Sequence, residues 1–219
     1  MPKGFTEHEK ELISKRLIEQ GYKLFSAYGL KKTNVEEIAQ AAGISKGAFY
    51  LFYESKEALF MDVTELAERQ FRQQVLAAVD QPGPSPRARF LAVLQVAFSL
   101  VKTIPVLQFI TSGDYDILFR RVPPEKLQQH LAADRTFFEE LFARCAQAGI
   151  PIKAHIDDVT ALLYAVILAY LHEDDLGRGS LGRSMELQLE LIAAFCVGEI
   201  DLQAQKPAAL AQQLPEGTK

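Results

Sequence analysis

The stretch 33–56, TNVEEIAQAAGISKGAFYLFYESK, decides the fold of this chain. It reads as two short helices across a tight turn, followed by the start of a third. Thr33 and Glu36 have the spacing of a capping box, which predicts a helix beginning near Asn34. Val35, Ile38, Ala39 and Ala42 form its apolar face at helical spacing. Gly43 ends that helix in the left-handed conformation that glycine adopts most easily, and Ile44 plugs the turn. Ser45 is placed to cap a second helix from Lys46 to about Tyr50. Two helices so arranged make a helix-turn-helix, a unit that sets its second helix in a DNA major groove. The exposed residues of that helix are Lys46, Gly47, Ala48 and Tyr50. They offer a charge, a point of close backbone approach, a methyl and a phenol, which suit a groove-facing surface. Phe49, Ile38 and Leu59 read as core.

Further residues fall into the same order and spacing: Leu24-Phe25, Gly29, Thr33, Ile38-Ala39, Ala42 through Gly47, Phe49-Tyr50, and Ser55 through Leu59. Over roughly residues 18–60 the chain resembles the TetR/AcrR family of bacterial transcriptional regulators. The resemblance implies that Tyr50 hydrogen-bonds a DNA phosphate. It implies the same neighbourhood for Lys56, at the positive end of a fourth helix, and for Thr33 at the start of the second. Such contacts position a protein without reading sequence. Lys46 and Ala48 occupy base-facing slots, where an ammonium meets guanine O6/N7 and a methyl meets thymine. Gly47 admits the DNA backbone, and Ser45 both caps and touches phosphate. The residues alone leave open that Tyr50 merely covers a helix junction and that Lys46 stays solvated. One departure stands out. Relatives often carry His or Tyr and then Phe after the recognition-helix Tyr. Here the order is Leu51, Phe52, Tyr53, so one phosphate donor is lost and Tyr53 is expected to pack in the Phe slot.

The 219 residues are 48% hydrophobic and 24% charged, an ordinary globular balance with material for a core. The polar start MPKGFTEHEK lacks the apolar stretch of a secretory signal, and the longest nearly apolar run, 159–171, is too short to span a bilayer. A cytoplasmic protein with no membrane contact is expected. The net charge of −4 counts mildly against nucleic-acid binding. Through Phe60, however, nine basic side chains face eight acidic ones, so the acidity lies in the remainder. Cys145 and Cys196 fall in helical patterns and read as buried thiols. No Gly-rich phosphate loop, catalytic triad or Cys/His metal spacing is present, so no enzyme, cofactor or metal is expected.

Helical spacing dominates throughout. The expected fold is all-α, with about nine helices: an N-terminal three-helix helix-turn-helix domain plus a larger helical ligand-binding and dimerisation domain. The first helix opens on a Thr6–Glu9 capping box and stops at Gly29, with Leu12, Ile13, Leu17, Leu24 and Phe25 inward. A fourth, capped by Ser55, carries Leu59, Phe60, Val63, Leu66, Ala67, Phe71, Val75 and Leu76 inward. QPGPSP at 81–86 is the clearest linker. The expected organisation is a DNA-binding domain at 1–54, a connecting helix at 55–80, a ligand-binding and dimerisation domain at 81–201, and a flexible tail at 202–219.

The helices near 157–170 and 181–197 are apolar on nearly all faces and need cover on two sides. One small domain covers one side, so a homodimer is expected through Ala161, Ala165, Leu168, Ala169, Leu187, Leu191, Ala194 and Phe195. The resemblance further implies an apolar pocket for an unidentified small-molecule effector, with Phe98, Gln108, Phe109, Tyr115, Phe119, His130, Phe138 and Tyr164 as candidate lining. His155 beside Asp157 and Asp158 reads as a helix start, and His172-Glu173-Asp174-Asp175 as a solvated turn. The expected function is a repressor on an inverted-repeat operator in double-stranded DNA, released by a largely apolar ligand. The alternative is a DNA-bound scaffold without effector, acting through a protein partner.

Overall fold

Side-chain caps fix where the helices begin. In this computed structural model, residues 5–107, 121–122, 124–171 and 181–200 are described. Among them are eight helices: α1 Glu7–Lys32, α2 Val35–Ala41, α3 Lys46–Phe49, α4 Lys56–Val79, α5 Pro86–Thr103, α6 Pro124–Gln147, α7 Ile156–Leu171 and α8 Leu181–Cys196. The described residues contain no strand. Ser45, Ser55 and Ser85 each accept the N–H of the alanine three residues on, at 3.1 Å. Each satisfies one of the helix-end donors that has no partner within the helix. Thr6 and Glu9 form the expected capping box, with Glu9 Oε2 accepting from the Thr6 N–H at 2.7 Å.

Two local expectations need correction. The capping box of α2 pairs Asn34 with Glu37, one residue beyond the expected Thr33–Glu36 pair. Thr33 is not free to cap, because it closes α1: its hydroxyl donates to the Gly29 carbonyl at 2.8 Å. The expected stop at Gly29 is a kink. Gly29 adopts φ 75° and ψ 169°, a region open to glycine, and one more turn follows before Thr33.

Two buried clusters organise the molecule. The first holds Ile13, Leu17, Phe25, Leu30, Ile38, Phe49, Leu59, Phe60 and Val63 from α1–α4, together with Val106, Leu107 and Val122. The second gathers the far half of α4 with α5–α8, through Val75, Val79, Phe90, Val93, Phe98, Phe137, Leu141, Val159, Ile192 and Cys196. Phe71, midway along α4, packs against both. Full burial of one such side chain stabilises the fold by about 1.5–3 kcal/mol. Helices α1 and α4 approach closely at Gly21, where a Cβ would lie 3.1 Å from Leu59 Cδ2. Leu12 and Leu66, expected inward, are exposed instead, on the faces of α1 and α4 that border a surface groove lined by Ile18, Tyr22 and Ala67.

Arg89 ties the second cluster at its end by donating to the carbonyls of Val79, Gln81 and Ala148 at 3.0, 3.1 and 2.7 Å. At the contact of α4 with α6, burial and then the charge of Asp134 push the Glu68 carboxyl up to about 8, against the opposing pull of Arg72. Among the described residues no helix is long and apolar enough to cross a membrane. The additional helices expected between 106 and 122, the 172–175 and 177–180 turns and the 202–219 tail lie mostly or wholly outside the described residues.

Both cysteines are buried, and burial pushes their thiols up, Cys145 to about 11 and Cys196 to about 12. The thiolate is the reactive form, so both should be inert at neutral pH. A chromogenic thiol reagent at pH 8 should therefore label the native chain far more slowly than the denaturant-unfolded chain. Equal rates would show that the thiols are open to solvent.

Candidate nucleic-acid interface

Helix α3 has only four residues, so its orientation is set by packing rather than by its own hydrogen bonds. Phe49 is the anchor. It is fully buried, meeting the Tyr53 ring at 5.9 Å and the edge of Tyr50 at 5.5 Å. The turn before it is a Schellman closure around Gly43 at φ 75°: Ile44 N–H donates to the Ala39 carbonyl and Gly43 N–H to the Gln40 carbonyl, both at 3.0 Å. With Phe49 inward, Lys46, Gly47 and Tyr50 face solvent and Ala48 is half-exposed. A Cβ on Gly47 would meet only Ser45 Oγ, at 4.0 Å. The chain's own packing therefore does not require glycine there. Lys46 Nζ is 4.0 Å from Glu36, an exposed pair of little strength that leaves the ammonium available. Beside it, Asn34, Val35, Glu36, Glu37 and Gln40 line an open cleft of about 400 Å³.

The two other expected anchors are placed differently. Thr33 is buried, with its hydroxyl and its N–H both directed to the Gly29 carbonyl. Lys56 Nζ donates to the carbonyls of Leu30 and Thr33 at 2.7 Å and of Lys31 at 3.3 Å. An ammonium has three protons, so all are engaged. Lys56 caps the C-terminal end of α1 and locks it to the first turn of α4. Tyr53 packs its ring against Phe49 and donates its hydroxyl to Asp62 at 3.0 Å; burial, and then the Asp62 charge, hold that hydroxyl un-ionised well above the usual phenol range. Phe52 packs near Phe5, with ring centroids 6.0 Å apart. Two features escaped the sequence reading. Arg16 on α1 lies beside the α2–α3 turn, with Nη1 3.4 Å from where a Gly43 Cβ would be. Leu51, directly after α3, is 75% exposed. Neither carries a local signal, because both depend on how α1 crosses the turn.

In the second half, the apolar faces of α7 and α8 are only partly covered. Leu168, Leu187 and Leu191 are 46%, 52% and 59% exposed, with Ala161 and Ala165 open beside them and Ala169 half-buried. Leu162 belongs to the same open set and was not anticipated. Ala194 departs from expectation. It is buried by its own chain, which turns back at that point so that Glu199 N–H donates to the Ala194 carbonyl. Phe195 packs half-buried on the second core cluster. Among the expected pocket residues, Phe98 lies in that cluster and Phe138 packs against it. Tyr164 is largely exposed and donates to Asp134 at 3.1 Å. His130 sits between Glu68 and Asp134. Gln108, Phe109, Tyr115 and Phe119 lie outside the described residues.

Residues 17–63 match the family described as bacterial regulatory proteins, tetR family. Over these residues the chain is similar to the TetR/AcrR family. Its similarity to the HTH-type transcriptional regulator YuxN of Bacillus subtilis, itself uncharacterized, reaches 38% identity over 90 residues, 41% of this chain and 30% of that one. The HTH-type transcriptional regulator AcrR of Shigella flexneri is 35% identical over 63 residues, 29% of each chain. The chain thus spans less than a third of these two relatives. The likeness of fold extends further: the transcriptional regulator FadR from Bacillus subtilis, solved in complex with stearoyl-CoA, superposes with a TM-score of 0.58 over 82% of this chain and 97% of that one, at 16% identity.

The geometry separates two residues that the sequence placed together. Lys56→Met should destabilise the chain by about 1–3 kcal/mol, because it strands helix-end carbonyls, and this will appear as a lower midpoint in urea unfolding. Tyr50→Phe should leave that midpoint unchanged. Equal midpoints for Lys56→Met and wild type would remove Lys56 from its capping role.

Proposed function

We propose that this chain is a DNA-binding transcriptional regulator that places α3 in the major groove as a homodimer. The observation that carries this reading is the bare outer face of α3, where Lys46, Gly47, Ala48 and Tyr50 are held outward by buried Phe49. Tyr50 and the Ser45 end of α3 meet phosphates, and Lys46 with Ala48 meets base edges. Thr33 and Lys56 act through position. They fix where α2 and α4 leave α1, and the first-turn N–H groups of α4 face the phosphate in place of the ammonium. Arg16, Lys31 and Lys32, all exposed, add positive charge on the α1 side.

The dimer forms by joining the open faces of α7 and α8 to those of a second copy in a four-helix arrangement. A two-fold dimer matches an inverted-repeat operator, because protein symmetry is mirrored in the half-sites. Release by a small, largely apolar effector held in the second domain is the regulatory part of the reading, and repression is its expected sense. Its support is the likeness of fold to FadR, which was solved with stearoyl-CoA. The packing of Phe98 into the core favours the second reading, a DNA-bound scaffold that takes no effector.

The test uses duplexes that the wild-type chain selects from a random pool. In fluorescence anisotropy, Tyr50→Phe should weaken binding about equally on selected and unrelated duplexes. Lys46→Ala should cost about 1–3 kcal/mol on the selected site and relax its base preference. Failure to enrich any sequence, or wild-type binding by both variants, contradicts the reading. Leu187→Glu with Leu191→Glu should halve the mass measured by light scattering and weaken DNA binding. A two-chain mass that survives both changes places the dimer elsewhere.

A further inference from the structure

The second domain contains a half-buried constellation that the DNA-binding reading does not use. Glu68 on α4 and His130 and Asp134 on α6 each offer a donor atom within 4.8 Å of the other two. His130 and Asp134 are four apart on one face of α6, and Glu68 meets them from the neighbouring helix. His130 Nδ1 is 3.5 Å from Glu68 Oε2, and its Nε2 is 3.9 Å from Asp134 Oδ2. The side chains are 16–24% exposed, shielded yet reachable from solvent.

Two carboxylates share this site with one guanidinium. Arg72 donates to Asp134 Oδ1 at 2.8 Å and to Glu68 Oε2 at 3.4 Å, and its guanidinium carbon lies 5.7 Å from the centre of the Phe137 ring. With both acids ionised, the state that a bound cation would favour, one negative charge stays uncompensated by Arg72, beside the His130 imidazole. Asp134 is also oriented by Tyr164, whose hydroxyl donates to Oδ2 at 3.1 Å. A carboxylate held by outer hydrogen bonds is the usual companion of a bound metal ion.

We infer that Glu68, His130 and Asp134 bind a first-row divalent cation, with zinc as the best match, and that the ion clamps α4 to α6. The donor types decide the class. Two carboxylates and one imidazole suit zinc and its neighbours, whereas calcium takes six to eight oxygens and magnesium keeps mostly water. Ligation at about 2.0–2.2 Å brings tetrahedral donors to roughly 3.4 Å of one another. Donor atoms that lie within 4.8 Å of one another would therefore close further on the ion by side-chain adjustment, which ties the two helices together through it. Three protein ligands leave a fourth position for water, the pattern of an exchangeable ion. The inference needs neither DNA binding nor the dimer.

The test uses the full chain, stripped with a chelator and titrated with Zn²⁺ against a chromophoric competitor. One ion per chain should bind, and the melting temperature should rise on loading. His130→Gln and Asp134→Asn should abolish this binding, and Tyr164→Phe should weaken it about 10–100-fold. Changing His155 and His172 to Gln together should leave it intact. Loading with Co²⁺ should give visible ligand-field bands of an oxygen and nitrogen site, without the near-ultraviolet band of a thiolate ligand. This readout on the wild-type chain decides the matter even where a variant fails to fold. Absence of stoichiometric binding, equal binding by His130→Gln, or a thiolate band would overturn the site.

Discussion

The ammonium of Lys56 holds the first half of the molecule in register. It engages the carbonyls of Leu30, Lys31 and Thr33 at the point where α1 ends, α2 is about to begin and α4 starts. These carbonyls belong to a helix end with no internal partners, and a cation there also complements the helix dipole. The end of α1, the lead into α2 and the start of α4 are thereby fixed at one point. The four residues of α3 cannot orient themselves, so their outward face depends on this junction and on Phe49 beneath it. Gly29 makes the junction possible, since its backbone lets α1 kink and deliver the last carbonyls toward Lys56.

The same head is tied to the second half by more than α4. Val106, Leu107 and Val122 come from the region expected to belong to the ligand-binding domain, yet they are buried in the core built by α1–α4. Arg121 reaches Glu57, a buried carboxylate in the first turn of α4, at 3.2 Å. A rearrangement near residues 104–122 would thus act on the head's core directly. Together with Phe71, which both clusters share, these contacts give a physical path between the halves, which a regulatory reading requires.

Much of this was legible in sequence, for identifiable reasons. Helix starts carried by Ser45 and Ser55 are local chemistry, and each appeared where its serine predicted. Thr33 misled because its spacing to Glu36 fits a capping box as well as Asn34 and Glu37 do. Only the inward turn of its hydroxyl, a tertiary fact, separates the two. Lys56 was singled out as a phosphate contact, whereas its bonds in the fold go to carbonyls more than twenty residues away. The Glu68–His130–Asp134 group was hidden for the same reason: one member sits on α4 and two on α6. The open faces of α7 and α8 were read correctly from excess apolarity, whereas Ala194 was lost to a turn that covers it.

The central claim is that the face of α3 fixed by Phe49 and the Lys56 junction is the surface that meets DNA. Amide hydrogen exchange, followed with and without a selected duplex, tests it most directly. The account predicts slowed exchange over residues 34–50 and the first turn of α4 when DNA is present. Unchanged exchange across residues 45–50 in a DNA-saturated sample would contradict it.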